Sequence, residues 1–262
     1  MTGNGRWIDL AGAVNVRDLG GLPTHDGNVT QFGRVLRADN LQDLTQADIS
    51  HLVGTLGLSD VIDLRSGAEL QIEGPGPLVR MPDVTIHHYS MLAEADRDTG
   101  VDGEAVLPWA RTEEEVEERP WLPPGEFYLL TLKQRPDAVL SALRVISASS
   151  GAALAHCAAG KDRTGILVAL ALTAVGVPED AIVEDYALSN TRIERIIERL
   201  KTRPAYAEDL DSRPMSSHFA LPETMREFLA LADDEFGGLM AWLTGHGWTD
   251  VDTDAMRARL LA

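Results

Sequence analysis

Residues 154–170 read LAHCAAGKDRTGILVAL and bring together the side chains needed for nucleophilic chemistry on an anion. Cys157 is the chain's single cysteine; His156 precedes it, Lys161 and Asp162 follow closely, and Arg163 stands six residues on, ahead of Thr164. Apolar runs flank the group on both sides, so the segment reads as a buried strand, a tight loop and a helix N-terminus. Successive backbone N–H groups of such a loop, here those of Ala158, Ala159 and Gly160, turn into one concavity, and the helix beginning near Thr164 adds the positive end of its dipole. That is a cradle for a tetrahedral oxyanion such as phosphate. Gly160 permits the curl, and the two alanines crowd nothing.

Within the cradle each polar side chain has a task. The planar fork of Arg163 can grip two phosphate oxygens at once, and Lys161 adds a second positive charge. Both charges and the helix dipole favour thiolate over thiol at Cys157. A thiolate facing a bound phosphate can attack phosphorus in line, expel an alkoxide or phenoxide, and leave a cysteinyl-phosphate. Asp162 is the carboxyl group in reach to protonate the leaving oxygen and then to activate the water that hydrolyses the thiophosphate. Thr164 can donate its hydroxyl to the departing sulfur, and His156 is expected to orient the loop from behind without touching substrate. The scheme calls for no metal and no cofactor. A lone cysteine at the end of an apolar strand is ordinarily a core thiol. The coincidence of His, Cys, Gly, Lys, Arg, Thr and Gly at fixed spacing, in a strand–loop–helix setting, favours the catalytic reading.

The rest of the chain must position this stretch. Its 262 residues, 44% hydrophobic, are enough for one sizeable core. With only 5% aromatics that core rests on Leu, Val, Ile and Ala. Extended pieces are expected at NVRDLGGL (15–22), RVLRAD (34–39), DVIDLR (60–65), VTIHHYS (84–90) and GAALAHC (151–157). Helical spacing appears over 44–57, with Thr45 and Asp48 set as a cap, then over 126–147, 164–176, 179–201, 222–235, 236–246 and 253–261. The alternation predicts an α/β fold with a mainly parallel central sheet flanked by helices, as one domain over residues 1–262. A mobile insert is expected at about 91–125, where a Pro-rich piece and the acidic run EEEVEE interrupt the pattern.

Composition narrows the partners. A net charge of −18 repels nucleic acid and anionic membranes on average. No apolar run reaches the roughly 20 residues that span a bilayer. The N-terminus lacks the features of a signal peptide, and a single cysteine forms no internal disulfide. The expected location is the cytoplasm, non-classical export aside.

At HCAAGKDRTG (156–165) the sequence resembles the Cys-based protein tyrosine phosphatases, with their His-Cys-x5-Arg-Thr/Ser-Gly signature. It is more similar to the bacterial atypical tyrosine/serine phosphatases of the mycobacterial PtpB-like type, whose loop reads His-Cys-x-Ala-Gly-Lys-Asp-Arg-Thr-Gly. The likeness extends to NVRDLGGL (15–22), RVLRADNLQDLT (34–45), LGLSDVIDLRSGAE (56–69), VEDYALSN (183–190) and FGGLMAWLTGHGW (236–248). It implies a tyrosine-phosphatase-like fold with a C-terminal helical lid, for which residues around 190–230 are the candidates. It also implies hydrolysis of phosphotyrosine in proteins or peptides, with phosphoserine, phosphothreonine and phosphoinositides as further candidates. By the match Cys157 is the nucleophile, Arg163 the phosphate clamp, Asp162 the general acid/base, and Lys161 an added substrate-binding charge.

There are departures. No Trp-Pro-Asp tripeptide supplies a separate acid, which moves that role to Asp162. Some relatives carry a further aspartate after the strand matching IHHYS, and here MLAEADRD offers Glu94 or Asp96. Outside the loop, Arg17 and Asp18 read first as an ion pair stabilising a turn and second as support of the phosphate site, and Asp63 and Arg65 equally as an ion pair or as substrate contacts. His87 and His88, adjacent on a strand, point to opposite faces and make poor joint metal ligands. Two other functions stay open on the residues alone: a phosphate-binding module without catalysis, and a different cysteine-loop reaction such as sulfur transfer or arsenate reduction.

Overall fold

A computed structural model describes residues 5–93, 107 and 121–261. Among the described residues the apolar runs become five strands: β1 (Arg17–Asp18), β2 (Val35–Ala38), β3 (Leu58–Asp63), β4 (Thr85–His88) and β5 (Ala152–His156). They form one sheet in the order β1-β2-β5-β3-β4, parallel throughout except for β1, which runs antiparallel to β2. β5 lies in the middle with every residue buried. Its last residue, His156, is level with Ala38 of β2 on one side and Asp63 of β3 on the other. The carboxyl ends of three parallel strands therefore meet at one edge, where open α/β sheets bind ligands.

Helices cover both faces. On one face α1 (Gln46–Ile49) and the π-helical turns Ser50–Thr55 close a core of Leu36, Leu52, Val61 and Leu154. α2 (Gly67–Glu73) follows β3. The other face carries α3 (Pro124–Gln134), α4 (Pro136–Ala148), α5 (Asp162–Ala174), α6 (Glu179–Ala187), α9 (Pro222–Phe236), α10 (Leu239–Gly245) and α11 (Asp250–Leu261). α5 is buried nearly all round, as a helix without a polar face must be. α7 (Ile193–Leu200) and α8 (Ala207–Ser212) form a smaller cluster at the carboxyl edge. Among the described residues no helix is long and apolar enough to cross a membrane.

Several expected elements change form. The helix read over 126–147 is two, α3 and α4, because Pro136 lacks an N–H and drives Arg135 out of helical geometry. The 44–57 helix keeps its Thr45–Asp48 capping box but continues as π-helical turns after Ile49. The 179–201 helix is interrupted by a 3₁₀ turn at Leu188–Arg192. α2, unread in the sequence, starts on a capping box of Ser66 and Glu69, a pattern visible as Ser-x-x-Glu. Most of the interruption at about 91–125 lies outside the described residues.

Arg17 pairs with a carboxylate far along the chain, and the expected Arg17–Asp18 pair does not form. Asp18 instead accepts the amides of Gly20 and Gly33, each at 2.7 Å. Arg6, Arg17 and Arg37 all converge on Asp185 of α6, with Arg37 Nη1 at 2.6 Å from Oδ2 and Arg17 Nε at 3.3 Å from Oδ1. Burial, then the charge of Arg37, lowers the Arg17 guanidinium to about 9. Burial alone would raise the Asp185 carboxyl, but the charges of Arg17, Arg37 and Arg6 overcome it and hold it well below the usual carboxylate range.

Asp185→Asn leaves these buried guanidiniums without their counter-charge and is expected to cost about 3–5 kcal/mol of stability at neutral pH. Because the folded carboxyl lies below its unfolded value of about 3.9, its contribution is complete above that value and is lost as pH falls through the folded one. In urea titrations the gap between wild type and variant should be full at pH 7 and narrow only below about pH 4. A variant as stable as wild type at pH 7 would contradict this.

Candidate active site

The site occupies the carboxyl edge of β5. The strand ends at His156, and α5 begins at Asp162 with Lys161 at its N-cap. The helix thus starts two residues earlier than Thr164, and Asp162 and Arg163 stand in its first turn instead of in the loop. Three consecutive carbonyls of the loop are drawn outward. Ala158 O accepts from Asn40 N at 2.8 Å and Ala159 O from Asn15 Nδ2 at 2.9 Å. Gly160 O accepts from Arg37 Nη2 at 2.7 Å and Asn15 Nδ2 at 3.2 Å. In a trans peptide the N–H opposes the carbonyl, so these tethers turn the amides of Ala159, Gly160 and Lys161 to the inner side. Gly160 has φ +65°, and a Cβ there would stand 2.3 Å from Ala38 O, so only glycine fits against the end of β2.

Cys157 is 2% exposed and Arg163 7%. Arg163 is held by Glu69 of α2, Nη1 to Oε2 at 2.5 Å and Nη2 to Oε1 at 2.9 Å. Tyr206 Oη donates to Glu69 Oε1 at 2.9 Å, and Ser66 N donates to Oε2 at 2.7 Å. Burial opposes ionisation of Glu69, but the charge and hydrogen bonds of Arg163 outweigh it and lower the carboxyl. Burial likewise disfavours the charged guanidinium of Arg163, and the negative charge and hydrogen bonds of Glu69 more than offset this and raise it. Glu69 escaped the sequence reading because its partner is 94 positions away. The Ser66–Glu69 cap was the available signal, and it announces the helix without announcing the second role.

The remaining residues named from the sequence fall at the same edge. His156 Nδ1 lies 3.2 Å from Cys157 O, and Nε2 lies 3.7 Å from Asp63 Oδ2. Burial, only partly countered by Asp63, lowers the imidazole. Asp63 and Arg65 form a buried ion pair at 2.6 Å. Asp162 Oδ1 accepts from Tyr128 Oη at 2.5 Å, with Lys161 Nζ 3.5 Å from the same oxygen. Lys161 Nζ also donates to His218 O at 3.0 Å. Thr164 Oγ1 is buried and has no hydrogen-bond partner among the described residues, leaving its proton uncommitted. Glu94 and Asp96 lie outside the described residues.

His87 Nε2 meets Asp60 Oδ1 and His88 Nε2 meets Arg65 O, each at 2.8 Å. Among the described residues no group of three His, Cys, Asp or Glu side chains is placed to hold a metal ion.

The loop has a roof. Ile193, Ile196, Ile197 and Leu200 of α7, with Tyr206 and Leu210, pack on Ala158 and Ala159. The segment expected as a lid therefore lies against the loop that carries Cys157.

Comparison with known proteins bears on this arrangement. Residues 8–262 match the model of the tyrosine phosphatase family. The triple specificity protein phosphatase PtpB of Mycobacterium tuberculosis is 30% identical over 276 residues, covering 97% of this chain and 98% of that one. A putative tyrosine-protein phosphatase of Cupriavidus necator is 32% identical over 68% of this chain and 61% of its own. A tyrosine-protein phosphatase of Nostoc commune is 32% identical over 45% of this chain and 42% of its own.

Glu69→Gln should expose how far the arginine depends on its carboxylate. A hydrogen bond to a charged group is worth about 1.5–3 kcal/mol, so inorganic phosphate is expected to inhibit the variant at least about tenfold more weakly than wild type. Equal inhibition constants would show that Arg163 keeps its geometry unaided.

Proposed function

The chain belongs to the tyrosine phosphatase family and is a phosphatase, and we propose that it hydrolyses phosphotyrosine in proteins or peptides through a cysteinyl-phosphate on Cys157. What carries the reading is the inward turn of the Ala159, Gly160 and Lys161 amides beside Cys157 and Arg163, an oxyanion cradle built into the start of a long helix. Phosphoserine, phosphothreonine and phosphoinositides are the further substrates to test, the mycobacterial relative being named for triple specificity.

In the proposed reaction the three amides and Arg163 bind the non-bridging oxygens, and Lys161 adds charge at the rim. The Cys157 sulfur attacks phosphorus as the bond to the leaving oxygen breaks, and Asp162 gives that oxygen its proton. Asp162, now a carboxylate, takes a proton from water as the water oxygen attacks phosphorus. The sulfur leaves with its electron pair, met by the free hydroxyl proton of Thr164. His156, supported by Asp63 and Arg65, fixes the carbonyl of Cys157. The packing of α7 and Tyr206 over the loop supports a lid that swings aside to admit the phosphoester. No step is assigned to a metal or cofactor. A nucleophilic cysteine must stay reduced, which supports a cytoplasmic setting.

Turnover of p-nitrophenyl phosphate should persist in chelator. Cys157→Ser should abolish turnover while inorganic phosphate still binds; a bound but never hydrolysed ester in the wild type would instead mark a binding module. Asp162→Asn should lose about 10²–10⁴-fold on alkyl phosphates and much less on aryl phosphates with good leaving groups. Equal slowing of both classes would remove Asp162 from the acid role.

A further inference from the structure

Two buried tyrosines that the reaction above does not use end on its acid. Tyr128 of α3 gives its hydroxyl proton to Asp162 Oδ1 at 2.5 Å, and the hydroxyl of Tyr186, from α6, lies 2.8 Å from that of Tyr128. A phenol has one proton. Tyr128 directs its own to the carboxylate, so the bond between the tyrosines must run from Tyr186 to Tyr128. The chain Tyr186→Tyr128→Asp162 therefore has a single polarity.

The two phenols are fixed donors and not a proton conduit. Burial, followed by the charge of Asp162, pushes the Tyr128 hydroxyl well above its ordinary value, and the same two causes raise Tyr186. Neither releases its proton in the neutral range. Their rings are wedged in place. A Cβ on Gly165 would stand 3.0 Å from Tyr186 Cδ2, so the glycine that follows Thr164 makes room for that ring. Tyr128 meets Phe228 edge-on at 5.7 Å between centroids.

The consequence falls on the two oxygens of Asp162. Oδ1 is engaged by an obligatory donor and has Lys161 Nζ on the same side. The transferable proton is thus left to Oδ2. With its side chain about one-third exposed at 34%, Asp162 would otherwise be free to turn into solvent. Oδ1 can accept the phenol in both states, as the carbonyl oxygen of the neutral acid and more strongly in the carboxylate, so the restraint is present in both halves of the reaction.

We propose that Tyr128, backed by Tyr186, is a positioning residue that fixes which oxygen of Asp162 exchanges protons with the leaving group and with water. The inference rests on the acid/base reading of Asp162.

The test is a kinetic series of Tyr128→Phe, Tyr186→Phe, Asp162→Asn and the double variant Tyr128→Phe/Asp162→Asn, on alkyl phosphates and on aryl phosphates of graded leaving ability. Tyr128→Phe keeps the ring and is expected to lose about tenfold more in kcat on alkyl phosphates than on p-nitrophenyl phosphate, through kcat and not KM. Tyr186→Phe should lose in the same pattern to a smaller extent, and it supplies the reading should Tyr128→Phe fail to fold. In the Asp162→Asn background Tyr128→Phe should add no further leaving-group dependence. A loss equal across leaving groups, or one that adds fully to Asp162→Asn, would reduce the tyrosines to packing and overturn the proposal. Leaving-group dependence in Asp162→Asn without any in the tyrosine variants would overturn this inference and spare the acid role. Its absence in Asp162→Asn would remove both.

Discussion

A cradle for phosphate must hold buried positive charge before its anion arrives, and the Glu69–Arg163 pair is how this molecule does so. An unpaired guanidinium at that depth would be costly. Glu69 supplies the counter-charge from α2, and its other contacts, to Ser66 N and Tyr206 Oη, tie it to a helix start and to the roof. The carboxylate thus couples three things: the aim of the arginine, the start of α2 and the seat of the segment around Tyr206. If the roof moves to admit substrate, Tyr206 leaves Glu69 while the paired arginine stays aimed.

The same logic holds the loop from the opposite side. Asp185 gathers Arg6, Arg17 and Arg37; Arg37 and Asn15 then pull the loop carbonyls outward, and Arg17 Nη1 fixes Asn15 Oδ1 at 2.6 Å. Ser189 Oγ receives both Asn15 and Arg17, and Asn190 is paired with the backbone of Ala220, two residues beyond the His218 carbonyl that takes Lys161. Within the DYALSN stretch (185–190), Asp185 through Arg37 and Ser189 through Asn15 lead to carbonyls of the Cys157 loop, and Tyr186 leads through Tyr128 to Asp162 at the start of α5. An overall charge of −18 thereby coexists with a site rich in arginine, because its buried guanidiniums are set against carboxylates: Arg163 against Glu69, Arg65 against Asp63, and Arg6, Arg17 and Arg37 together against Asp185.

What was legible in the sequence was what is local. Strand, loop and helix around Cys157 follow from apolar runs within 17 residues, and the parallel sheet from the alternation of strand and helix signals. The helix start was misplaced by two residues because Asp162 and Arg163 look like loop residues until the N-cap at Lys161 is seen. Glu69, Tyr128 and Tyr186 were not found because their meaning lies in contacts 94, 34 and 58 positions away, which no spacing rule encodes. Arg17 was misread for the same reason: the nearest carboxylate in sequence, Asp18, is not its partner in space.

Covalent capture by Cys157 is the claim on which the rest depends. Turnover of p-nitrophenyl phosphate, whose leaving group departs with little help from an acid, by Asp162→Asn, quenched in denaturant and followed by mass mapping, examines it directly. Without its proposed base the variant should accumulate the thiophosphate, so the phosphate is predicted on the peptide that carries Cys157 and nowhere else. Phosphate fixed to any other side chain would contradict the account.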